Sequence, residues 1–363
     1  MGFSERPVER PEELFDREKE LENLRRAISS RAMIAVLGAR RVGKTSLIKV
    51  ATHDIPRIYL DIRKFESASY ITYDMFLEEL RGDLSNFMSL HEKVKEYLRR
   101  VRGVRLFGVG VEFSVGESRP SFSSVLEALN EWAEGENARV VVVMDEVQEL
   151  VKMRGHSILP SLAYAYDNLR NVSFVFAGSK VGLLYRFLRI DDASSPLYGR
   201  YLERVVLNPL SKDLAIEFLR KGFEEHGVRV SEDFLAMAVE KLDGIIGWLS
   251  FLGLRVLSRG VDESVIGEVV EEASRIAVNE FCNFVEVMGT KRYVEILKVI
   301  GSEGATWSQI RRYLELRLGT RIYDSELSRL LKNLMDYGFV EKKEEVYVIS
   351  DPILRHASKH VRC

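Results

Sequence analysis

The 363-residue sequence predicts an α/β fold: a parallel sheet domain, then a block of helices, then a small domain of helices and a hairpin. Three observations support this order. Short, almost wholly apolar runs alternate with helical patterns over the first 208 residues, as in strands that are covered on both faces. Beyond Pro209 only helical periodicity continues. From Thr290 three helical stretches and two short strands follow, which is the winged-helix pattern.

The alternation in the first part predicts a doubly wound sheet. Its predicted strands are Met33–Leu37, Arg57–Asp61, Arg139–Met144, Val172–Ala177 and Arg204–Leu207. The predicted helices between them are Lys44–Thr52, Tyr70–Val101, Ser121–Glu134, Ser157–Arg170 and Gly182–Leu188. Phe65–Pro120 is long for one crossover, so we expect a helical insertion there. Within it, Val104–Val115 alternates well enough to form a hairpin.

These patterns divide the chain into three predicted domains: residues 1–208 with the insertion at 65–120, residues 209–288, and residues 289–363. In the second domain the predicted helices are Ser211–His226, Ser231–Leu242, Trp248–Ser258 and Asp262–Val287. In the third they are Arg292–Ile300, Thr306–Arg317 and Tyr323–Tyr337, followed by strands around Val340 and Tyr347.

Composition excludes several classes of protein. The 53 Lys and Arg nearly balance the 55 Asp and Glu, so the net charge of −2 does not indicate a general nucleic-acid or membrane-surface binder. No apolar run approaches the roughly 18 residues that span a bilayer, and the charged N-terminus has no signal-peptide core. Cys282 and Cys363 have no metal-ligand spacing, which argues against a disulfide framework or a Cys-based zinc site. We therefore expect a soluble, cytoplasmic protein without a membrane partner.

The segment Gly38–Thr45, GARRVGKT, matches the G-x-x-x-x-G-K-[ST] pattern between a predicted strand and a predicted helix. In that context the glycines let backbone N–H groups surround a phosphate, and the helix N-terminus adds positive potential. Lys44 would reach the β- and γ-phosphates, and the Thr45 hydroxyl would bind Mg²⁺. The first domain is therefore predicted to be a P-loop NTPase. Its expected phosphate-binding residues are Gly38, Ala39, Arg40, Arg41, Val42, Gly43, Lys44, Thr45 and Ser46.

An acidic pair supplies the rest of the expected chemistry. Asp145 and Glu146 follow the apolar run VVVVM, at the end of a predicted strand. Asp145 would hold Mg²⁺ through its water shell, and Glu146 would act as general base on the attacking water. Ser179 follows the next predicted strand and would lie at the same edge of the sheet. There it could position the water, or it could cap the following helix, and both roles fit the sequence.

Together these motifs resemble the AAA+ and STAND branch of P-loop ATPases. The resemblance covers nearly the whole chain. Leu14–Leu21 (LFDREKEL) is similar to the box before the first strand, and Pro196–Arg200 (PLYGR) to the segment that carries the catalytic arginine. Leu242–Leu249 (LDGIIGWL) resembles the lid-helix motif, and Ile349–His356 (ISDPILRH) the tail of the winged helix. The chain looks like an archaeal-type ATPase related to the archaeal replication initiators.

The resemblance implies ATP as the nucleotide, and no N-K-x-D guanine motif is present. It implies that Phe15 and Arg17 help to enclose the adenine, and that residues 209–288 form a lid. Arg200 becomes the candidate arginine finger, acting within its own subunit or on a neighbour after self-association. Arg204 is the runner-up, and a plain surface ion pair is the alternative for Arg200.

The winged helix fits either duplex DNA or a protein partner. Lys291–Ile349 carries 11 Lys and Arg against 9 Asp and Glu, and its expected recognition helix is only weakly basic. The sequence thus predicts an ATP-hydrolysing switch that couples nucleotide state to the winged helix. A DNA-binding initiator or transposition helper, in which ATP licenses DNA loading, is the alternative. A scaffold that binds nucleotide only structurally also fits, and a small-molecule kinase fits less well.

Overall fold

The computed structural model describes residues 2–108 and 110–363. The strands there are β1 (Met33–Leu37), β2 (Arg57–Asp61), β3 (Val104–Phe107), β4 (Gly110–Phe113), β5 (Val140–Asp145), β6 (Val172–Gly178), β7 (Glu203–Val206), β8 (Ala305–Thr306), β9 (Val340–Lys343) and β10 (Val346–Ile349). The helices are α1 (Glu18–Ser30), α2 (Lys44–Ala51), α3 (Tyr73–Leu90), α4 (Val94–Leu98), α5 (Phe122–Gly135), α6 (Leu159–Asn168), α7 (Val181–Leu188), α8 (Lys212–Glu225), α9 (Glu232–Leu242), α10 (Ile246–Arg259), α11 (Glu263–Met288), α12 (Arg292–Ile300), α13 (Trp307–Leu318), α14 (Asp324–Asp336) and α15 (Pro352–Ala357).

A five-stranded parallel sheet in the order β2-β5-β6-β1-β7 forms the centre of the first part. Every residue of β1, β5 and β6 is buried, which explains why these strands are apolar throughout rather than alternating. Leu37 lies beside Gly178, and Asp61 lies beside Asp145. The carboxyl ends of these strands therefore meet at one edge of the sheet. The predicted α/β class and the parallel sheet are confirmed.

The insertion differs from the sequence prediction in one respect. The helical pattern over Tyr70–Val101 forms two helices, because α3 ends at Leu90 and a separate short α4 follows. His91 interrupts the helix with a non-helical backbone, at φ −133° and ψ 74°. The expected hairpin is confirmed as β3 and β4, which pair antiparallel. The helix α1, which buries Leu24, Ala27 and Ile28 with helical spacing, was not predicted.

Four helices, α8 to α11, form the block after the sheet, as the sequence predicts. Three of them begin at a side chain that caps the first turn: Ser211 accepts from the backbone of Leu214, Ser231 from Phe234, and Asp262 from Ser264. The 26-residue α11 packs against α9 and α10 of this block and against α15 of the C-terminal part. The exact domain boundaries stay a prediction.

The C-terminal part has the predicted winged-helix arrangement of α12, α13 and α14 with a small antiparallel sheet in the order β8-β10-β9. The exclusion of disulfides needs correction. Cys282 of α11 and Cys363 form a disulfide with their Cα atoms 5.2 Å apart. Their separation of 81 residues hides this proximity, which arises only when the chain end folds back onto α11. Among the described helices, none is both long and apolar enough to cross a membrane.

Candidate active site

The phosphate loop joins β1 to α2, and two glycines shape it. Gly38 and Gly43 have positive φ angles of 153° and 100°. A Cβ on Gly38 would lie 2.5 Å from the carbonyl oxygen of Leu207, so only glycine fits beside that strand end. The loop therefore opens its backbone towards the N-terminus of α2, where a phosphate group gains from unpaired N–H groups and the helix dipole.

Lys44 lies inside this loop, only 6% exposed. Its ammonium group donates hydrogen bonds to the carbonyl oxygens of Gly38 and Ala39, both at 2.8 Å. Burial lowers the pKa of Lys44, although the negative charges of Glu146 and Asp145 oppose the shift. The lysine is thus held at the mouth of the loop, where a bound phosphate would replace the two carbonyl oxygens as its partner.

Asp145 at the end of β5 is 1% exposed and fully engaged by donors. The Thr45 hydroxyl donates to Asp145 Oδ2 at 2.9 Å, and the Tyr59 hydroxyl donates to the same oxygen at 2.8 Å. Burial and the neighbouring carboxylate raise the pKa of Tyr59, so it remains a neutral donor. A hydroxyl and a carboxylate in direct contact form the oxygen donor set that Mg²⁺ prefers, and Thr45 and Asp145 therefore fit this metal.

Glu146 is turned towards the end of β6. The Ser179 hydroxyl donates to Glu146 Oε2 at 2.7 Å and the Ser179 backbone N–H at 3.3 Å, while the Gln148 side-chain amide donates to the same oxygen. Burial alone would raise the pKa of Glu146. The charge of Lys44 and the hydrogen bonds from Gln148 and Ser179 outweigh this effect and hold the pKa below its ordinary value. The structure thus brings the candidate base and Ser179 into direct contact.

A cavity of about 460 Å³ extends from this polar cluster to an apolar end. Phe15 and Phe218 line the apolar end, with their ring centroids 5.3 Å apart. Arg17 also lines the cavity, but its guanidinium bonds to Glu20 at 3.1 Å and to the carbonyl of Asn208 at 2.7 Å. Phe15 is therefore available to a base, whereas Arg17 mainly anchors the start of α1. Ser46 lines the cavity too.

The two loop arginines line the same cavity and are held by ion pairs and a ring contact. Arg40 forms ion pairs with Glu280 at 2.7 Å and Glu66 at 2.9 Å. Arg41 reaches Glu280 at 3.2 Å, and its guanidinium lies 4.3 Å from the centroid of the Trp248 ring. Both side chains connect the loop to α11 through Glu280, and Arg41 also contacts α10 through Trp248. Val42 is buried beneath the loop.

Arg200, the predicted arginine finger, lies outside both this cluster and the cavity. It binds Asp167 at 2.5 Å, donates to the carbonyl of Pro196, and lies 5.7 Å from the centroid of the Tyr166 ring. The runner-up, Arg204, lies 5.2 Å from the centroid of the Tyr185 ring.

The topology explains this separation. In the parallel pair of β1 and β7, Ile34 lies beside Glu203, so β7 begins where β1 begins. Arg200 precedes β7 and therefore lies at the amino edge of the sheet, whereas the phosphate loop leaves the carboxyl edge. A role for Arg200 in its own subunit's site does not fit this placement.

Two residues of the cluster were not found from the sequence. Tyr59 looks like an ordinary strand residue, and only the pairing of β2 with β5 brings it to Asp145. Gln148 lies two residues beyond Glu146 in a short 3₁₀ helix, and its side chain turns back to the carboxylate. The only signal in the sequence is an amide side chain two residues after Glu146.

Comparison with known proteins agrees with this geometry. Residues 14–249 match the family model described as an ATPase domain predominantly from Archaea, and residues 289–350 match the C-terminal winged helix-turn-helix domain of MCM proteins. An uncharacterised HTH-type transcriptional regulator of Methanocaldococcus jannaschii is 22% identical, with 94% of this chain and 87% of that protein covered.

Among solved structures, a Walker-type ATPase of Pyrococcus abyssi is similar over 99% of this chain and 100% of its own, with 33% identity and a TM-score of 0.87. The Aeropyrum pernix ORC2 protein, solved in ADPNP–ADP complexes, shares the fold at 16% identity and a TM-score of 0.62, with 99% and 95% covered. Because the first family model spans well over half of the chain, this protein belongs to the family of ATPases found predominantly in Archaea.

Proposed function

We propose that this protein binds and slowly hydrolyses Mg-ATP and that it acts as a switch of the AAA+/STAND type. One observation carries the proposal. Lys44, Thr45, Asp145, Glu146 and Ser179 converge at one edge of the sheet, and three of them line a cavity that Phe15 and Phe218 also line. This is the set of charges and hydrogen bonds that transfer of a phosphoryl group to water requires.

The proposed reaction is an in-line attack of water on the γ-phosphorus of ATP. Glu146, ionised because its pKa is lowered, accepts the proton of that water as the new P–O bond forms and the bond to the bridging oxygen of ADP breaks. Lys44 leaves its two carbonyl partners and stabilises the charge on the γ-phosphate. Mg²⁺ held at Thr45 and Asp145 would neutralise charge on the β- and γ-phosphate oxygens.

The hydrogen bonds to the Glu146 carboxylate favour slow turnover. One carboxylate oxygen already accepts hydrogen bonds from Ser179 and Gln148. These bonds lower the basicity of the carboxylate and direct it towards β6, so it must reorient or share these donors before it takes a proton from water. A low rate suits a switch, in which the lifetime of the ATP state carries the signal.

The winged helix contacts the segment that holds Glu146. Gly338, just after α14, lies against the backbone carbonyl of Ser179, and the Lys180 ammonium lies 5.7 Å from the centroid of the Tyr337 ring. A Cβ on Gly182 would lie 2.4 Å from the Cα of Asp336, so α7 and α14 are tightly packed. If the Ser179–Glu146 pair rearranges at the γ-phosphate, the displacement of Ser179 would therefore be passed directly to Gly338 just after α14.

The test of the binding step is the affinity for Mg-ATP of the wild type and Lys44→Ala. Lys44→Ala should abolish measurable binding, because the buried charge that faces the phosphates is lost. Lys241→Ala, an exposed lysine of α9, is the matched control and should bind as the wild type does. Equal affinity in wild type and Lys44→Ala would contradict the proposal.

The test of the switch is hydrogen exchange at the backbone amides of Gly338 and Phe339, which bond to carbonyls of Met335 and Leu334. We expect these amides to exchange at different rates with bound ATP and bound ADP. Identical exchange in the two nucleotide states would contradict coupling to the winged helix.

A second function, ATP-licensed DNA loading, has one specific observation in its favour. The exposed face of α14 presents Arg329 and Lys332, with Arg321 just before it. The turn between β9 and β10 carries Glu344 and Glu345, which argues against deep contact of this turn with DNA. If DNA binds, its affinity should fall steeply with salt, and Arg329→Ala with Lys332→Ala should flatten that dependence.

A further inference from the structure

Residues 3–8, which we call the strap, run along the cavity proposed for the nucleotide, and residues 4–8 line it. At one end, Ser4 exchanges two hydrogen bonds with the Ser250 hydroxyl of α10, both at 3.0 Å. At the other end, the backbone N–H of Val8 donates to the Ser46 hydroxyl of α2 at 3.3 Å. The strap thus spans from the lid to the helix that follows the phosphate loop, and its middle forms a wall of the cavity.

Phe3 anchors the lid end of the strap in a groove made by two glycines. Its ring packs edge-on against Phe223 at 4.9 Å and Phe218 at 5.7 Å between centroids. A Cβ on Gly222 of α8 or on Gly253 of α10 would lie 2.4 Å from the Phe3 ring. Glycine in a helix interior is less favourable than alanine. Gly222 and Gly253 therefore weaken α8 and α10, and in the structure they leave the space that the Phe3 ring fills.

The anchor is continuous with the apolar end of the cavity. Phe218 contacts Phe3 on one side and Phe15 on the other, and both Phe218 and Phe15 line the cavity. Because Lys44 fixes the phosphates at the opposite end, a base would lie against these rings and the strap. Loss of the Phe3 anchor would therefore free the wall that faces the base without touching the groups that face the γ-phosphate.

We propose that the strap is a preformed wall of the nucleotide site and that Phe3 is a positioning residue for ATP affinity. Seated in the lid, Phe3 holds residues 4–8 in place before the nucleotide arrives, so binding does not have to order this segment. The strap also ties the position of the lid to occupancy of the base end. This inference rests on the proposed function, since it assumes that the cavity takes ATP.

The test is a double-mutant cycle on the full chain, with Kd for Mg-ATP and steady-state hydrolysis as readouts. Phe3→Ala should raise both Kd and KM about tenfold, since an untethered strap must be ordered on binding. The kcat at saturation should stay unchanged, because the groups at the γ-phosphate are intact. Gly253→Ala should do the same in the wild-type background, where its methyl group expels the ring.

The second half of the cycle separates seating of the ring from general damage to the lid. In the Phe3→Ala background, Gly253→Ala should have no further effect on Kd, because the space is then free. Gly267→Ala is the matched control, since a Cβ there meets nothing within 4 Å on the same lid. A Tm for each variant verifies that the chain is folded.

Unchanged affinity in both Phe3→Ala and Gly253→Ala, with wild-type binding intact, would overturn the role of the strap alone. A further loss when Gly253→Ala is added to Phe3→Ala would also overturn it, because α10 itself would then be the cause. Failure of the wild type to bind Mg-ATP would overturn the proposed function and this inference with it.

Discussion

Candidate catalytic groups lie at both edges of the central sheet, but their surroundings differ. At the carboxyl edge, hydrogen bonds link Thr45, Asp145, Glu146 and Ser179, of which Asp145 and Ser179 are buried and the other two partly buried. At the amino edge, Arg200 is held on the surface by Asp167 and lies near Tyr166. The first group is assembled within one chain, whereas the second is presented outwards.

This difference suggests which groups act on the nucleotide of their own chain and which act on that of a second copy. β1 has five residues at roughly 3.3 Å each, so about 16 Å of strand separates the two edges. Exposed aromatic side chains, Tyr198 and Tyr201, lie on either side of Arg200 in the sequence, at 55% and 54% exposure. We therefore expect binding and slow hydrolysis to need one chain, and Arg200 to contribute only at the nucleotide of a second copy.

Asp145→Asn should have the largest effect at the carboxyl edge. It removes the negative charge that would hold Mg²⁺, and several kcal/mol of charge stabilisation in the transition state go with the metal. We expect hydrolysis to fall at least about a hundredfold and to lose its dependence on Mg²⁺, measured as phosphate release against Mg²⁺ concentration. Asp61→Asn is the control, because Asp61 lies beside Asp145 in the sheet but pairs with Arg63. An unchanged Mg²⁺ dependence in Asp145→Asn would remove Asp145 from the metal site.

Arg200→Ala should have an effect only where chains associate. In dilute protein we expect the wild-type rate, because Arg200 does not reach its own site. If chains associate, the part of the specific rate that rises with protein concentration should disappear, up to the factor of about 10³–10⁵ that such an arginine can contribute. Arg204→Ala is the comparison, since Arg204 lies against Tyr185 instead. A concentration-independent loss in Arg200→Ala would contradict the assignment to a second copy.

The pH dependence should show the smallest effect. The pKa of Glu146 is lowered in the folded chain, so its carboxylate stays ionised until the pH falls below the ordinary glutamate value of about 4.3. The kcat should therefore be flat between about pH 6 and 8 as far as this group is concerned. A decline in kcat centred within that range and absent from Glu146→Gln would show that the carboxylate titrates there, against this account.

The sequence predicted the carboxyl edge well because its signals are local. Gly38–Thr45 and the Asp145–Glu146 pair each lie directly at the end of an apolar strand, and parallel strands place such ends together. The α/β class and the winged helix followed from the same periodic patterns. The confirmed strands differ from the predicted ones by only a residue or two at each end.

What the sequence did not predict depends on contacts between distant segments. Tyr59 reaches Asp145 through sheet register, and Phe3 reaches Gly222 and Gly253 across more than 200 residues. Neither contact leaves a periodic pattern, because each involves single residues whose neighbours serve other purposes. The disulfide between Cys282 and Cys363 was missed for the same reason.

The most direct test of the account is ATP hydrolysis by Glu146→Gln measured beside its affinity for Mg-ATP. The amide keeps the shape and the contacts with Ser179 but cannot accept the proton of the attacking water. We predict wild-type affinity and a loss of hydrolysis of about 10²–10⁴-fold, the usual contribution of a general base. Hydrolysis by Glu146→Gln at the wild-type rate would contradict the central claim that this carboxylate, at this edge of the sheet, activates the water.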